Sequence, residues 1–330
     1  MEELFLPYRE VIQRMDECSE RGIPFFFAVD FEQTEGIFIP SPYSSPSSEV
    51  YFSIGEGASV DEAEPLDPLQ VYPESFERYS ERFAIVRNGL MRGDSFLLNL
   101  TLRTSIYSRA SLEEIYHKSV ALYKVCVPGR FVCFSPERFV RIDSEGTILT
   151  SPMKGTIDAS LPNAEEVILQ DYKESAEHAT VVDLLRNDLN RVSTQVQVLR
   201  YRYLTEVVTP GSKILQVSSD ICGKLHPDLC RRLGTVLDSL LPAGSICGAP
   251  REKTLEIIRE AEGIPRGFYS GICGIYDGNT LDTGVMIRFI EKDSQGNLYY
   301  RSGGGITINS NPEEEYREVL QKIYLPLANN

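Results

Sequence analysis

The sequence predicts an α+β protein built on antiparallel sheets, and three observations support this class. Segments typical of strands and of helices occur in separate runs and do not alternate as the βαβ units of a parallel sheet. Residues 268–308 alternate apolar and polar side chains between the turns DGN and DSQGN, which predicts an antiparallel meander. The chain has 330 residues, 42% hydrophobic and 25% charged, so it can bury a large core without disulfides or a structural metal.

The first quarter of the chain predicts a hairpin, loops and one helix. Residues 24–40 read as two short strands joined by a polar turn. Residues 39–50 and 55–73 are rich in Pro, Ser and acidic side chains and are predicted to be surface loops rather than domain linkers. A helix is expected from about Glu74 to Met91, with one apolar face formed by Phe76, Phe83, Val86 and Leu90.

The rest of the chain predicts strands and then several helices. Strands are expected between 131 and 156, separated by the turn DSEG. Gly263 is a natural C-cap and Asn311 a natural N-cap, so each marks a helix boundary. Helices are predicted at about 164–190, 228–241 and 251–262, and from Pro312 onwards.

Charge and cysteine content exclude several classes of protein. The net charge of −15 disfavours binding to nucleic acid or to an anionic membrane. Any bound anion must therefore be held by local Arg, Lys or backbone N–H groups. Seven scattered cysteines without a CxxC pair indicate reduced thiols, and the acidic N-terminus does not resemble a signal peptide. We therefore expect a cytoplasmic protein.

Two predicted helices each carry a pair of glutamates three residues apart. Glu174, Glu177 and then His178 share one helix face, while Glu315 and Glu318 lie in the last helix. Taken singly, each pair has a plain alternative: a solvated acidic stripe, or carboxylates that favour the helix N-terminus. Together they could hold a hard cation, because Mg²⁺ takes one or two carboxylates and keeps several waters.

Several cations and glycines could bind an anion. The loop 242–253 runs into a helix whose first turn contains Arg251 and Lys253, although cations are unfavourable there. An electrostatic role and an ordinary tight turn are both consistent with that loop. The three glycines within 301–308 permit close approach of the backbone to a ligand, or form a bulge. Arg288 interrupts an apolar strand, and Lys154 follows a proline where an exposed lysine is also an ordinary finding.

Seven segments together resemble the chorismate-binding enzymes, and they occur in the family's order between about 75 and 325. This resemblance implies one catalytic domain over 1–330, with a shortened N-terminal region of about 1–73. The implied fold is a sandwich of antiparallel sheets flanked by helices. The segments are SPERF (135–139), SPMKGT (151–156), KESAEHATVVDLLRNDLNRV (173–192), LPAGSICGAPREK (241–253), FYSGICGIYDG (268–278), LDTGVMIRF (281–289) and SGGGITINSNPEEEYREV (302–319).

The resemblance also implies a set of site residues. A magnesium ion would be bound directly by Glu177 and Glu318 and supported by Glu174 and Glu315. His178 would lie near the reacting ring as a catalytic residue. The remaining implied positions bind substrate: Arg288 and Tyr269 at the enolpyruvyl carboxylate with backbone N–H groups around Gly303, Gly304 and Gly305, and Gly155, Thr156 and Ser245 lining the pocket.

Lys154 selects a branch within the family. A lysine in the P-x-x-G-T motif resembles the aminodeoxychorismate synthases, in which it would attack ring carbon C2 and be displaced after ammonia enters at C4. Leu97 stands where the water-adding branches carry a basic lysine, and leucine cannot act as a base. The resemblance thus implies chorismate and ammonia as substrates and a separate glutamine amidotransferase as partner. Anthranilate synthase component I and a non-catalytic relative that binds chorismate or the amidotransferase remain the alternatives.

Overall fold

The computed structural model describes residues 4–44, 47, 49–55, 66–209 and 212–327. Parts of the two predicted loops, namely 45, 46, 48 and 56–65, lie outside the described residues. None of the helices in the described ranges is long and apolar enough to cross a membrane. The helices are α1 (Tyr8–Glu20), α2 (Phe76–Met91), α3 (Leu112–Lys118), α4 (Ala164–Gln170), α5 (Tyr172–Leu189), α6 (Leu233–Leu240), α7 (Gly244–Cys247), α8 (Arg251–Glu262) and α9 (Pro312–Gln321).

The strands form two sheets, and every strand pair is antiparallel. The strands are β1 (Leu6–Pro7), β2 (Phe25–Val29), β3 (Glu35–Pro40), β4 (Tyr51–Ile54), β5 (Gln70–Tyr72), β6 (Leu97–Tyr107), β7 (Tyr123–Val127), β8 (Phe131–Ser135), β9 (Arg138–Ile142), β10 (Thr147–Thr150), β11 (Met153–Asp158), β12 (Ser193–Thr209), β13 (Ser212–Leu225), β14 (Gly248–Ala249), β15 (Ile272–Tyr276), β16 (Leu281–Val285), β17 (Phe289–Lys292) and β18 (Leu298–Ile306).

Strand order defines the two sheets. The first runs β1-β3-β2-β15-β16-β9-β10-β13-β11, with β12 added at β13. The second runs β14-β6-β18-β17-β8-β7-β4, with β5 added at β6. The predicted α+β class with antiparallel sheets is therefore confirmed.

The core lies in layers between and outside the sheets. In β2 the alternating side chains divide: Phe25 and Phe27 face helices α1 and α6, whereas Phe26 faces the second sheet. A strand covered on both faces reads as a continuous apolar run, as FFFAV does. Helices α2 and α8 cover the outer face of the second sheet near β6 through a separate apolar cluster. The predicted sandwich of sheets flanked by helices is thus confirmed.

Several predicted helix boundaries are confirmed and others are corrected. Helix α8 begins at Arg251 and ends before Gly263, which adopts φ +68°, and Asn311 caps α9 by accepting two backbone N–H bonds. The predicted helix 164–190 is two helices, because Asp171 adopts an extended backbone and accepts the N–H of Glu174 at 2.9 Å as a new N-cap. The helix predicted at 228–241 begins only at Leu233.

The predicted meander over 268–308 is wrong as a single unit. Strands β15 and β16 belong to the first sheet, whereas β17 and β18 belong to the second. The chain crosses between the sheets just before β17, where Arg288 adopts the left-handed backbone conformation at φ +53°. Arg288 is therefore not a strand residue but lies at the crossing. Alternation predicts each hairpin, and it cannot specify that consecutive hairpins join different sheets.

Candidate active site

Lys154 lies in an irregularity of β11. The register of β11 against β13 shifts between Met153 and Thr156, and Gly155 adopts φ +81°. Such bulges re-aim a side chain out of the strand's normal alternation. The ammonium Nζ of Lys154 lies 3.6 Å from Glu177 Oε2, and the side chain is only 25% exposed. The alternative of an ordinary surface lysine is therefore wrong.

Helix α5 carries Glu174, Glu177 and His178 on the side that faces the irregular part of β11. Glu177 and His178 are buried, so the alternative of a fully solvated acidic stripe is wrong for this face. A β-carbon placed on Gly155 would lie 3.1 Å from Glu174 Oε2, which puts Glu174 directly beside the bulge. The bulge and the first acidic pair are thus adjacent.

His178 is held in one orientation and is neutral. Its Nε2 lies 2.6 Å from Ser219 Oγ, which also accepts the backbone N–H of Arg202. Burial, followed by the charges of Arg202 and Lys154, lowers the pKa of His178 to about 4. Within the described part of the chain, Nδ1 of this buried ring has no hydrogen-bond partner. A neutral imidazole nitrogen is therefore available to a ligand.

The glycine triplet and α9 form the opposite wall. Gly303, Gly304 and Gly305 pair regularly with β6, so the predicted alternative of a bulge is wrong. A β-carbon on Gly304 would lie 3.5 Å from Glu315 Oε2 and 3.9 Å from Glu318 Oε1. On Gly305 it would lie 3.0 Å from Lys154 Nζ. The triplet therefore separates the second acidic pair from Lys154, and its lack of side chains leaves that space open.

The two glutamates of the second acidic pair differ in exposure. Glu315 is 2% exposed, whereas the side chain of Glu318 is 49% exposed and accepts the ammonium of Lys322 at 2.7 Å. Lys322 also donates to the carbonyl oxygen of Gly303 at 2.8 Å. This lysine thus links the end of α9 to the glycine triplet.

Arg288 and Tyr269 supply a second polar region. Burial raises the pKa of Tyr269 to about 12, and Arg288 and Arg301 are among the cations in its electrostatic surroundings. The Arg288 guanidinium lies over the Tyr324 ring, 5.1 Å from its centroid. Its buried Nε has no hydrogen-bond partner among the described residues. An unsatisfied buried guanidinium N–H favours an incoming anion.

Ser245 and Thr156 occupy different surroundings. Ser245 Oγ donates to Glu137 Oε1 at 2.8 Å, which places the loop between α6 and α8 against the SPERF segment. Thr156 follows Gly155 in β11, where it is exposed and lies opposite Gln216. Of the predicted substrate residues, Thr156 is the one whose surroundings give least support to the prediction.

Glu137 and Lys322 are site residues that sequence reasoning missed. Burial raises the pKa of the Glu137 carboxyl, and Lys154, Lys322 and Arg288 are the cations that oppose this shift. Burial also lowers the pKa of the Lys322 ammonium. Glu137 stands inside a segment that carried the family resemblance, and that position was the only available signal. Leu97 borders Gly305 together with Lys154, because a β-carbon on Gly305 would lie 3.4 Å from its Cδ1.

Comparison with known proteins identifies the family. The sequence profile described as chorismate binding enzyme matches residues 56–328. The chain belongs to the chorismate-binding enzymes. The family resemblance predicted from the seven segments is therefore confirmed at this level.

Three relatives of this chorismate-binding enzyme are informative. A Haemophilus influenzae protein described as an uncharacterized PabA-like protein is 46% identical over 96% of both chains. Aminodeoxychorismate synthase component 1 of Bacillus subtilis is 30% identical over 76% of this chain and 55% of its own length. The crystal structure of anthranilate synthase component I from Streptococcus pneumoniae has a TM-score of 0.66 and is 28% identical, covering 79% of this chain and 60% of that one. The chain thus spans little more than half of these two synthases.

The carboxylates of this chorismate-binding enzyme fit a magnesium ion in chemistry. No three His, Cys, Asp or Glu side chains of the described ranges lie together closely enough to hold an ion on their own. Two ammonium groups stand at these carboxylates: Lys154 beside Glu177 and Lys322 on Glu318. Because Mg²⁺ needs only one or two protein carboxylates and keeps its waters, a carboxylate from each pair suits it.

Arg251 and Lys253 do not belong to the site. Arg251 Nη2 donates to both carboxylate oxygens of Asp188, at 2.9 and 2.8 Å, and to the carbonyl of Leu240. Lys253 pairs with Glu256 on the exposed face of α8. Of the two interpretations of this loop, the structural one is therefore correct for both cations.

Proposed function

We propose that the chain converts chorismate and ammonia to 4-amino-4-deoxychorismate in a magnesium-dependent reaction, with Lys154 as nucleophile. The observation that carries this proposal is the position of Lys154. Its Nζ lies between Glu177 Oε2, at 3.6 Å, and the open backbone of Gly305. An anion placed over the glycines would therefore meet the amine directly.

In the first step the amine of Lys154 forms a bond to ring carbon C2, both ring double bonds shift, and the C4 hydroxyl leaves as water with the proton that the amine gives up. Ammonia then forms a bond to C4, both double bonds shift back, the C2–nitrogen bond to Lys154 breaks, and the lysine nitrogen takes up the proton that ammonia loses. The first step produces one water, and the second regenerates the lysine.

Glu137 is suited to move protons in these steps. Burial raises the pKa of the Glu137 carboxyl, so it holds a proton more readily than an exposed glutamate, and Ser245 Oγ donates a hydrogen bond that fixes its position. Lys154 is one of the cations in its surroundings. We assign Glu137 the exchange of protons with Lys154 and the leaving hydroxyl, and His178 Nδ1 a hydrogen bond to the ring substituents.

The anionic substrate requires local cations in a protein of charge −15. Arg288, Lys322 and the backbone at Gly303–Gly305 supply such a region, with the phenol of Tyr269 beside Arg288. A magnesium ion held by Glu177 and Glu318, with Glu174 and Glu315 supporting, would neutralise the ring carboxylate when bound. The enolpyruvyl carboxylate would then meet Arg288.

Leu97 favours amination over hydration. Its methyl group and Lys154 Nζ border the same Gly305 position, so the wall next to the nucleophile is apolar at this point. A leucine neither activates nor orients a water molecule. We expect ammonia to come from a separate glutamine amidotransferase subunit, as the family resemblance implies.

A product assay tests the proposal. Purified chain is incubated with chorismate, Mg²⁺ and ammonium, with and without an aminodeoxychorismate lyase. We expect p-aminobenzoate only when the lyase is added. Fluorescent anthranilate without lyase would instead assign the chain to anthranilate synthesis, and no turnover of either kind would indicate a non-catalytic relative. Lys253→Ala is the matched control for Lys154→Ala, since it removes an exposed lysine outside the site.

A further inference from the structure

A cavity of about 290 Å³ lies outside the candidate active site. One wall is a single face of α8, with Leu255, Ile258, Arg259 and Glu262 at helical spacing. The other walls are the turn between β2 and β3, Pro242, and the loop that follows α8. None of the predicted catalytic, substrate or metal residues lines this cavity.

Arg266 forms a rigid part of the lining. It is 1% exposed and binds Glu262 through Nε at 2.9 Å and Nη2 at 2.6 Å. It also donates to the carbonyl oxygens of Asn99 and Ile246, and its guanidinium lies over the Phe31 ring. Since these bonds occupy most of its donors, Arg266 shapes the cavity but has little capacity left for a ligand.

Arg259 is a cation of the lining whose guanidinium can still bind a ligand. It is exposed at the cavity, and among the described residues its guanidinium makes neither an ion pair nor a side-chain hydrogen bond. In the last turn of α8 it would gain only modestly from the helix dipole. A carboxylate at this guanidinium could form the bidentate pair that arginine favours.

The rest of the lining selects against highly charged ligands. Phe31, Pro242 and Pro265 present apolar rings, and Leu255, Ile258 and Ile264 add aliphatic surface. Glu32 already accepts the backbone N–H groups of Arg266 and Gly267, and burial raises its pKa. Because Glu32 and Glu262 are acidic, they repel a dianion such as phosphate more strongly than a monoanion, whose apolar body can also pack against the rings.

We propose that this cavity is a second ligand site that binds a single-ring aromatic carboxylate, with the ring against Phe31 and the prolines and the carboxylate on Arg259. The volume is close to the lower end of ordinary small-molecule sites and suits one ring. The site does not depend on the proposed function.

Arg266 connects this cavity with the candidate active site. Its Nη1 binds the carbonyl of Ile246, the residue after Ser245, at 3.4 Å. Its Nη2 binds the carbonyl of Asn99, which pairs with Gly305 in the second sheet, at 2.7 Å. A ring held against Phe31 and Arg266 is therefore two contacts away from the residues that border Lys154.

Calorimetric titration of the full chain with benzoate tests this site. We expect saturable binding of one benzoate, and much weaker binding of acetate, which lacks the ring, and of benzamide, which lacks the charge. Arg259→Met should weaken benzoate binding by about tenfold or more, since it removes a charged hydrogen-bonding partner. Arg87→Met, a change of an exposed arginine on α2 away from the cavity, should leave binding intact.

Two further variants distinguish binding in this cavity from binding in the candidate active site and from a loss of folding. Arg288→Met should retain benzoate binding, because it alters only the candidate active site. Ile264→Trp supplies the only tryptophan in the chain, and benzoate should change its emission. Binding that is lost in Arg288→Met, or that is unchanged in Arg259→Met, would contradict the proposal, and so would the absence of saturation. Because these measurements need no turnover, a failure of the binding proposal can be distinguished from a failure of the proposed function.

Discussion

Lys154 and Arg251 are both cations at positions where the sequence gives no reason to expect one, and their surroundings differ. Arg251 is held in an ion pair, whereas Lys154 faces open space. Arg251 lies in the first turn of α8, where the helix dipole disfavours it, and Asp188 neutralises it through two hydrogen bonds. Lys154 lies in a bulge between the carboxylates of α5 and the glycine triplet. The first cation ties α8 to α5, and the second faces open space.

This difference shows that the carboxylates around a cation, rather than the neighbouring sequence, distinguish a structural cation from a functional one. Both segments are rich in glycine and proline, and both belong to the seven that resemble the family. Arg251 has a dedicated carboxylate in a neighbouring helix. Lys154 shares Glu177 at the longer distance of 3.6 Å and has further site residues around it. A charged side chain that has several partners at longer distances can exchange one of them for a ligand.

Replacing Lys154 should have the largest effect on turnover. We expect Lys154→Ala to lower ammonia-dependent turnover by about 10³-fold or more, since removal of a catalytic nucleophile costs at least this much in other enzymes. Magnesium affinity and the unfolding midpoint should change little. Steady-state rates, magnesium titration and urea unfolding measure the three quantities. Full activity in this variant would show that Lys154 is not the nucleophile.

Removing a single metal carboxylate should have the next largest effect. Glu177→Gln and Glu318→Gln should each weaken magnesium affinity by about 10- to 100-fold, the range found when even outer groups of a metal site are changed. Glu313→Gln, an exposed change in the first turn of α9, is the matched control and should stay near the parent value. Calorimetry with Mg²⁺ measures the affinity. Equal effects of Glu318→Gln and Glu313→Gln would favour a helix-dipole role for the glutamates of α9.

The smallest effect on catalysis should come from Arg251. Arg251→Met should lower the free energy of unfolding by about 1–3 kcal/mol, because partly buried Asp188 loses the nearer of its two charged partners among the described residues and keeps only Arg191 at 4.0 Å. Adding Asp188→Asn should cost less than the sum of the single changes. Turnover per folded molecule should stay close to the parent value. Urea unfolding gives the stability, and a large loss of turnover with unchanged stability would place Arg251 in the site.

Local signals predicted much of the fold. Asn311 and Gly263 mark helix ends that the structure reproduces, because caps are set by a few neighbouring residues. Asp171 was missed as a cap inside a continuous helical pattern. The crossing at Arg288 was also missed, because sheet membership depends on contacts between residues far apart in the chain. Short-range chemistry is readable from one sequence, and long-range pairing is not.

The site was predictable only in part. The acidic pairs could be found from their spacing, although their positions, beside the Gly155 bulge and beside Gly304, depend on the packing of α5 and α9. Glu137 could not be distinguished from a surface glutamate, since its role depends on burial and on the hydroxyl of Ser245. The burial of Lys154 depends likewise on a bulge in β11 that one glycine in the sequence does not specify.

Mass spectrometry of Lys154 tests the central claim most directly. The chain is incubated with chorismate and Mg²⁺ without ammonium, quenched, reduced and digested. We expect the peptide that contains Lys154 to gain the mass of chorismate minus one water, and the gain to disappear when ammonium is added before quenching. Lys154→Ala should show no gain. A fully active chain whose Lys154 peptide never carries this mass, or whose ring is attached to another residue, would contradict the account.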